Sequence, residues 1–381
     1  MSKLRRLASQ FVAKGQVAAV EPLGNGNINS TFLVTVKPET ISPTQSSRFV
    51  LQKINAHVFQ QPELVIQNMA VLSEHLRDSV GGQSLYWQTP RIIPTADGQN
   101  FWQDESGDYW RAISFIENSQ VFETIETVAH AREVGYGLAM FHRLISNLPV
   151  KKLANTIDSF HITPTYLEFY GKVLRKYQAT VSGDAGSSDS DSGDLDQSHA
   201  VRHCMEFVEA RQEWAHVLEK AKADGDLQLR PIHGDPKVNN IMLGTDGRAV
   251  SLIDLDTLQP GLIHYDIGDC LRSSCNRLGE ETENWEQVVF DTTLAKALLE
   301  GYFSLARDFL TEQDYLYMYD AIRLIAFELG LRFFTDYLAG DIYFKVRHPT
   351  HNLNRALVQF KLTESIEAQA DTLKAMIEAM Q

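Results

Sequence analysis

The side-chain pattern of this chain changes once, near Glu117, and that change constrains the fold more than any other feature. Before it, short runs with a period of two read as strands: Val17 to Val20, Ser30 to Val36, Phe49 to Lys53 and Trp110 to Phe115. One helix interrupts them, opened by Pro62 at a first helical position and running through Glu63 to Leu76. After Glu117 the period becomes helical. Thr127 to Leu144, Thr163 to Tyr177, Cys204 to Asp224 and most of the chain from Trp285 onward read as amphipathic helices, broken near Gly340 and at His348-Pro349. The expectation is an α+β chain in two lobes. Residues 1–117 form a small antiparallel sheet with a helix, and residues 118–381 form a larger, mainly helical lobe. Within the second, residues 182–198 hold five Asp, no basic residue and almost nothing to bury, which reads as a disordered acidic insertion.

Charge and cysteine usage exclude several function classes. Across 381 residues, 49 Asp and Glu stand against 35 Lys and Arg, a net charge of −14. Nucleic-acid affinity rests on Lys and Arg neutralising phosphates, so no nucleic-acid partner is expected. The three cysteines, Cys204, Cys270 and Cys275, fit no zinc or CxxC spacing and read as free thiols. The basic start Met-Ser-Lys-Leu-Arg-Arg-Leu lacks a following apolar region, and no apolar run approaches a membrane span. A cytoplasmic chain with no membrane partner is the expectation.

Chemistry-capable residues are densest between Pro231 and Gly268. The run His233-Gly234-Asp235-Pro236-Lys237-Val238-Asn239-Asn240 is followed by Asp254, at the end of the apolar stretch Ala249 to Ile253. Phosphoryl transfer from ATP needs a carboxylate to orient the attacking hydroxyl and take its proton. It needs hard oxygen ligands for magnesium, and a cation beside the moving phosphoryl group. The run supplies each part: Asp235 as base, Lys237 as the cation, Asn240 and Asp254 as metal ligands. No GxxxxGK[ST] sequence occurs, which argues against a P-loop enzyme.

His-x-Asp-x4-Asn followed by a metal-binding Asp on the next strand is the spacing of a kinase catalytic loop. With Gly after the His, and Ile253-Asp254 in place of Asp-Phe-Gly, the chain resembles the aminoglycoside phosphotransferase and choline kinase branch of the protein-kinase-like fold. Longer runs narrow the resemblance. These are Leu51-Gln52-Lys53-Ile54-Asn55, Ile253 to Leu262, Thr335 to Lys345, and His351-Asn352-Leu353-Asn354-Arg355. They look like the N-acetylhexosamine 1-kinase subgroup, and the likeness runs through nearly the whole chain outside residues 182–198.

That resemblance implies a bilobed kinase-like fold that uses ATP and Mg2+ and a small-molecule acceptor, the anomeric hydroxyl of an N-acetylhexosamine. Other acceptors of the fold (choline, homoserine, aminoglycosides, methylthioribose) remain alternatives, as does a non-catalytic protein of the same fold. His233 and Asp266 would brace the catalytic loop. Gly24, Gly26 and Asn27, between two expected strands, would cover the nucleotide's phosphates, since glycines admit close backbone approach. Lys53 would contact the α/β-phosphates, with Glu63, Glu74 or Gln67 on the following helix as its partner. Backbone groups around Glu117 would read adenine. Arg332 and Tyr343 match positions that face the sugar, against the plainer possibilities of an Arg332–Glu328 pair and a core Tyr343. Asp256, on the same strand face as Asp254, would bind a sugar hydroxyl or a second metal.

Overall fold

A computed structural model describes residues 3–24, 28–37, 47–79, 87–183 and 192–381. Helix α1 (Lys3–Ser9) leads into β1 (Gln16–Pro22), β2 (Ser30–Lys37) and β3 (Ser47–Lys53). Helix α2 (Pro62–Ser79) follows, then β4 (Ile92–Ile93), β5 (Trp102–Gln103) and β6 (Tyr109–Ser114). These strands make one antiparallel sheet in the order β1-β2-β3-β6-β4, with β5 paired to β6. On one face Leu7 and Phe11 pack with Val34, Phe49, Leu51 and Trp110. The alternation of the strands dictates that face, because residues two apart point the same way.

The chain crosses at β7 (Ser119–Gln120), which pairs with a strand of the second lobe, β9 (Ile241–Gly244). Helix α3 (Val128–Ile145) begins where the pattern places it, because the Thr127 hydroxyl accepts from His130 N at 3.1 Å and caps the first turn. Next come α4 (Thr163–Gly183), α5 (Ser192–Glu209) and α6 (Val217–Asp224). Strands β8 (Arg230–Ile232), β9, β10 (Ala249–Leu252) and β11 (Gln259–Gly261) carry the catalytic-loop region. β8 pairs with β11 and β9 with β10. Helices α7 (Ile263–Ser274), α8 (Thr292–Ala306), α9 (Glu312–Leu316), α10 (Met318–Ala339), α11 (His351–Ala368) and α12 (Ala370–Glu378) complete the chain. No described helix is long and apolar enough to cross a membrane.

Three features depart from the sequence-based expectation. Cys204 to Asp224 is not one helix. It breaks after Glu209, and the break lets Trp214 pack against Phe327, ring centroids 5.5 Å apart. The stretch 182–198 is helical at both flanks, since α4 runs to Gly183 and α5 starts at Ser192. Extending an existing helix needs no new nucleus, so helix enters sequence with little to bury. Residues 184–191 of that stretch lie outside the described residues. Finally, the core of the second lobe crosses the expected boundary at 117. Met69, Leu72 and Leu76 of α2 are buried in the same cluster as Leu138 of α3, Leu252 of β10 and Leu298 of α8. Asn68 of α2 is fully buried. Its amide donates to Ala154 O and Leu258 O, both at 2.8 Å, and its oxygen accepts from Ala154 N at 2.9 Å.

Candidate active site

Strand β8 ends at Ile232, and the chain turns through His233 and Gly234 into the predicted catalytic loop. Gly234 has a φ of +88°, and a Cβ there would lie 2.8 Å from Thr257 O, so only glycine fits. Asp266, in the first turn of α7, holds the turn from behind. Its carboxylate accepts from His233 N and Gly234 N, each at 2.7 Å, and meets His142 Nε2 at 2.8 Å. Burial by itself would raise the Asp266 carboxyl, but His142, His233 and the Gly234 amide outweigh it and hold the pKa below its ordinary value. Asp266 is therefore an anion braced by two backbone donors, as the sequence predicts for a supporting residue.

His233 is fully buried, with its edge toward the Phe141 ring at 5.5 Å. Its Nδ1 accepts from Asp235 N at 3.2 Å, so Nε2 carries the proton and donates to Ile253 O at 2.8 Å. Burial lowers its pKa, consistent with a neutral ring. One imidazole thus ties the loop to the segment carrying Asp254. A second histidine acts from the other side. His161 Nε2 lies 2.8 Å from Gly234 O and its Nδ1 2.8 Å from Glu328 Oε1. Both nitrogens face acceptors, so only the doubly protonated ring satisfies both. Burial pulls the His161 pKa down, but Glu328 and Asp269 outweigh it and leave it raised.

The predicted chemical residues are gathered by this frame. Lys237 Nζ pairs with Asp235 Oδ2 at 2.9 Å. Enclosure raises the Asp235 carboxyl and Lys237 opposes the rise, while Asp235 is the main cause that lifts the Lys237 ammonium above its ordinary value. Asn240 Nδ2 donates to Asp235 O at 2.7 Å, its side-chain oxygen meets no donor among the described residues, and Ile253 N donates to Asn240 O at 2.8 Å. Asp254 follows directly, with a left-handed φ of +62° that ends the extended run of β10. Its carboxylate has no hydrogen-bond partner among the described residues, and the residue is exposed. The protein mass around it, then Asp256 and Asp235, push its carboxyl up to about 7. An Asp254 carboxylate and an Asn240 amide oxygen, on segments joined through Ile253 N, are all-oxygen donors of the kind that suit a hard divalent cation retaining water and phosphate ligands. Among the described residues no group of three or more His, Cys, Asp or Glu gathers as a metal cage. Two protein ligands are what a phosphate-bound magnesium needs.

Three nucleotide and substrate expectations meet a different geometry. Lys53 lies opposite Trp110 in the β3–β6 register, and Gln52 opposite Arg111. Cross-strand partners share a face. Lys53 therefore shares the Trp110 side, where its Nζ pairs with Asp108 Oδ2 at 3.1 Å, and no acid from α2 meets it. Glu63 instead bonds the Tyr109 hydroxyl. The residue that reaches the second lobe is Arg111, which pairs with Asp256. Asp256 in turn is not on a strand: residues 255–257 form a 3-10 turn, because the left-handed Asp254 terminates the extended run. Both its oxygens are engaged, one by Arg111 and one by Asn29 Nδ2, and the residue is 3% exposed. Glu117 sits between the lobes, its side chain paired with Arg48. Gly24 has a φ of +68° with open space around it, while Gly26 and Asn27 lie outside the described residues.

Arg332 and Tyr343 do come together. The guanidinium lies 5.1–5.9 Å from the rings of Phe160, Tyr166, Tyr343 and Phe344. Glu328, four residues earlier, is occupied by His161 and by the Thr163 hydroxyl at 2.6 Å, so the helical ion pair does not form. Tyr343 is 52% exposed rather than core. It is held by Asp336, whose carboxylate accepts from three successive amides, Ile342 N at 3.0 Å, Tyr343 N at 2.8 Å and Phe344 N at 2.9 Å.

His142, His161, Arg111 and Asp336 escape the sequence reading. A charged residue in the apolar strand Tyr109 to Ser114 was the one visible signal for Arg111. The others act through contacts 16 or more residues away, or through backbone amides, which spacing does not reveal.

A family model described as the phosphotransferase enzyme family, APH, matches residues 19–310. The chain belongs to that family. Solved structures agree on the fold. An aminoglycoside phosphotransferase from Alicyclobacillus acidocaldarius matches with a TM-score of 0.60 and 15% identity, over 98% of this chain and 96% of that one. A microcompartment-associated aminopropanol kinase matches at 0.59 and 15%, over 97% and 98%. A choline kinase from Cryptosporidium parvum matches at 0.56 and 14%, over 95% and 92%. At such identities the likeness is one of fold, and this phosphotransferase has the bilobed kinase-like architecture of those enzymes.

Proposed function

We propose that this APH-family phosphotransferase transfers the γ-phosphoryl group of ATP to a hydroxyl of a small sugar, the anomeric hydroxyl of an N-acetylhexosamine. The observation that carries the reading is the arrangement around Asp235: a base candidate with a lysine 2.9 Å away and Asn240 on the same braced loop, joined through Ile253 N to the segment that carries Asp254. In this reading Asp235 orients the acceptor hydroxyl and takes its proton, releasing Lys237 toward the transferring phosphoryl group. Asn240 and Asp254 would hold Mg2+, which would supply charge neutralisation to the phosphate oxygens. The backbone near Gly24 and Glu117 borders the nucleotide.

Arg332 within its ring of aromatics supports a neutral or anionic acceptor. A guanidinium already occupies the ring faces that a quaternary ammonium would seek, and it repels a second cation. That weighs against choline and aminoglycoside acceptors, and favours an acceptor with oxygen acceptors and an apolar ring face.

The test is ADP release with ATP and magnesium against GlcNAc, GalNAc, glucose, galactose, choline, homoserine and kanamycin, with the product located by phosphorus NMR. A signal from an anomeric phosphate is the expected result. Turnover only with choline, homoserine or kanamycin removes the sugar reading and retains the kinase.

A further inference from the structure

A buried polar cluster outside the catalytic loop lies where the two lobes meet. Arg111 of β6 is 1% exposed. Gln52 Oε1 of β3 accepts from its Nε at 3.0 Å and from its Nη2 at 2.7 Å, and Nη2 also pairs with Asp256 Oδ1. The other Asp256 oxygen accepts from Asn29, whose own side-chain oxygen is fixed by Asn55 N at 2.9 Å. A carboxylate of the large lobe is therefore held on both oxygens by donors of the small lobe.

Burying this pair is expensive, and the cost is not fully recovered, because Arg111 Nη1 has no partner among the described residues. Such a pair is weak as a source of stability and strong as a specifier of geometry. What it specifies is the turn 255–257. That turn is fixed at a second point by Thr257, whose hydroxyl donates to His233 O at 2.7 Å. Asp254 is the residue immediately before the turn, and no group among the described residues hydrogen-bonds its carboxylate. Its position follows from the two ends of its surroundings: the catalytic loop on one side and Arg111 with Asn29 on the other.

We propose that Arg111 and Asn29 are positioning residues for the divalent-cation site, so that seating the small lobe on Asp256 is what sets Asp254 in place to bind the cation. The proposal rests on the reading of Asn240 and Asp254 as the cation's ligands. It gives the small-lobe strand β6 a role in metal binding that no contact with the metal requires.

The experiment measures Mn2+ binding to the ADP-bound protein by electron paramagnetic resonance, for the wild type, R111K and N29A. R111K keeps the charge but loses the forked contact with Gln52 and Asp256. N29A removes a half-exposed neutral donor. The Mn2+ Kd is expected to rise about tenfold or more in R111K and at least threefold in N29A. ADP binding in EDTA should stay within twofold of wild type. A purely structural role would lower melting temperature and leave the Mn2+ Kd where it was. Unchanged Mn2+ affinity in both folded variants, with a wild type that binds, overturns this proposal alone. A wild type that binds no Mn2+ overturns the ligand reading and this proposal with it. Should R111K not fold, N29A decides.

Discussion

Asp235 and Lys237 neutralise each other across 2.9 Å, and in the proposed mechanism an acceptor hydroxyl replaces the lysine as the partner of the carboxylate. Asp235→Asn keeps the size of the side chain and removes its capacity for a proton. The expected loss in kcat is about 100-fold or more, the usual contribution of a positioned base, with melting temperature nearly unchanged. Turnover close to wild type removes Asp235 from the mechanism. His161 makes a separate prediction at the same scale. Its pKa is raised in the folded chain, so the protonated ring favours folding. The sign follows: its contribution is whole below the ordinary histidine pKa, about 6.5, and fades as pH rises through the raised value. The gap in melting temperature between wild type and His161→Gln should therefore narrow from pH 6 to pH 9, and a gap independent of pH would show that His161 folds as a neutral ring.

At the scale of single elements, the segment after α10 shows how a carboxylate can shape a loop. Asp336 gathers the amides of residues 342–344 and also accepts from Asn352 Nδ2 at 3.0 Å, which joins the loop to α11. Asp336→Ala should free Tyr343 and Phe344 from Arg332. The acceptor KM should rise about tenfold, the worth of one charge-assisted hydrogen bond, with the ATP KM little changed. Equal rises in both would place the loop outside the acceptor site. The same segment shows what sequence can convey. Strands β1, β2, β3 and β6 and helices α2 and α3 were legible because period and capping are local properties, as Pro62 and Thr127 illustrate. The catalytic loop was legible because its residues lie within eight positions of one another. The Asp108 partner of Lys53 was not legible, because alternation gives two faces and does not say which one looks at the other lobe. Asp256 was misplaced because the left-handed turn at Asp254, which ends the strand, leaves no mark in composition.

At the scale of the whole molecule, the two lobes are less separable than a boundary at 117 suggests. Leu72 of α2 belongs to the large-lobe core, β7 pairs with β9, and Arg111 is buried against Asp256. The protein should unfold in one calorimetric transition. Arg111→Met leaves Asp256 as an uncompensated buried charge, a loss of about 3–5 kcal/mol. It should lower that transition and separate a small-lobe shoulder from it. Two transitions in the wild type would mean that the lobes fold independently.

The seating of α2 has a consequence for control. In kinases whose activity is switched, the helix after the third strand swings between two resting positions, and the regulator chooses one. Here that helix is stitched through its middle: Asn68 makes three hydrogen bonds to residues 154 and 258, with apolar neighbours sealed beneath it. Displacing it would strand a buried amide and open the core at once. A helix seated this way is expected to hold one position, so that the concentrations of what the catalyst consumes and releases, rather than a swing of this helix, set its rate.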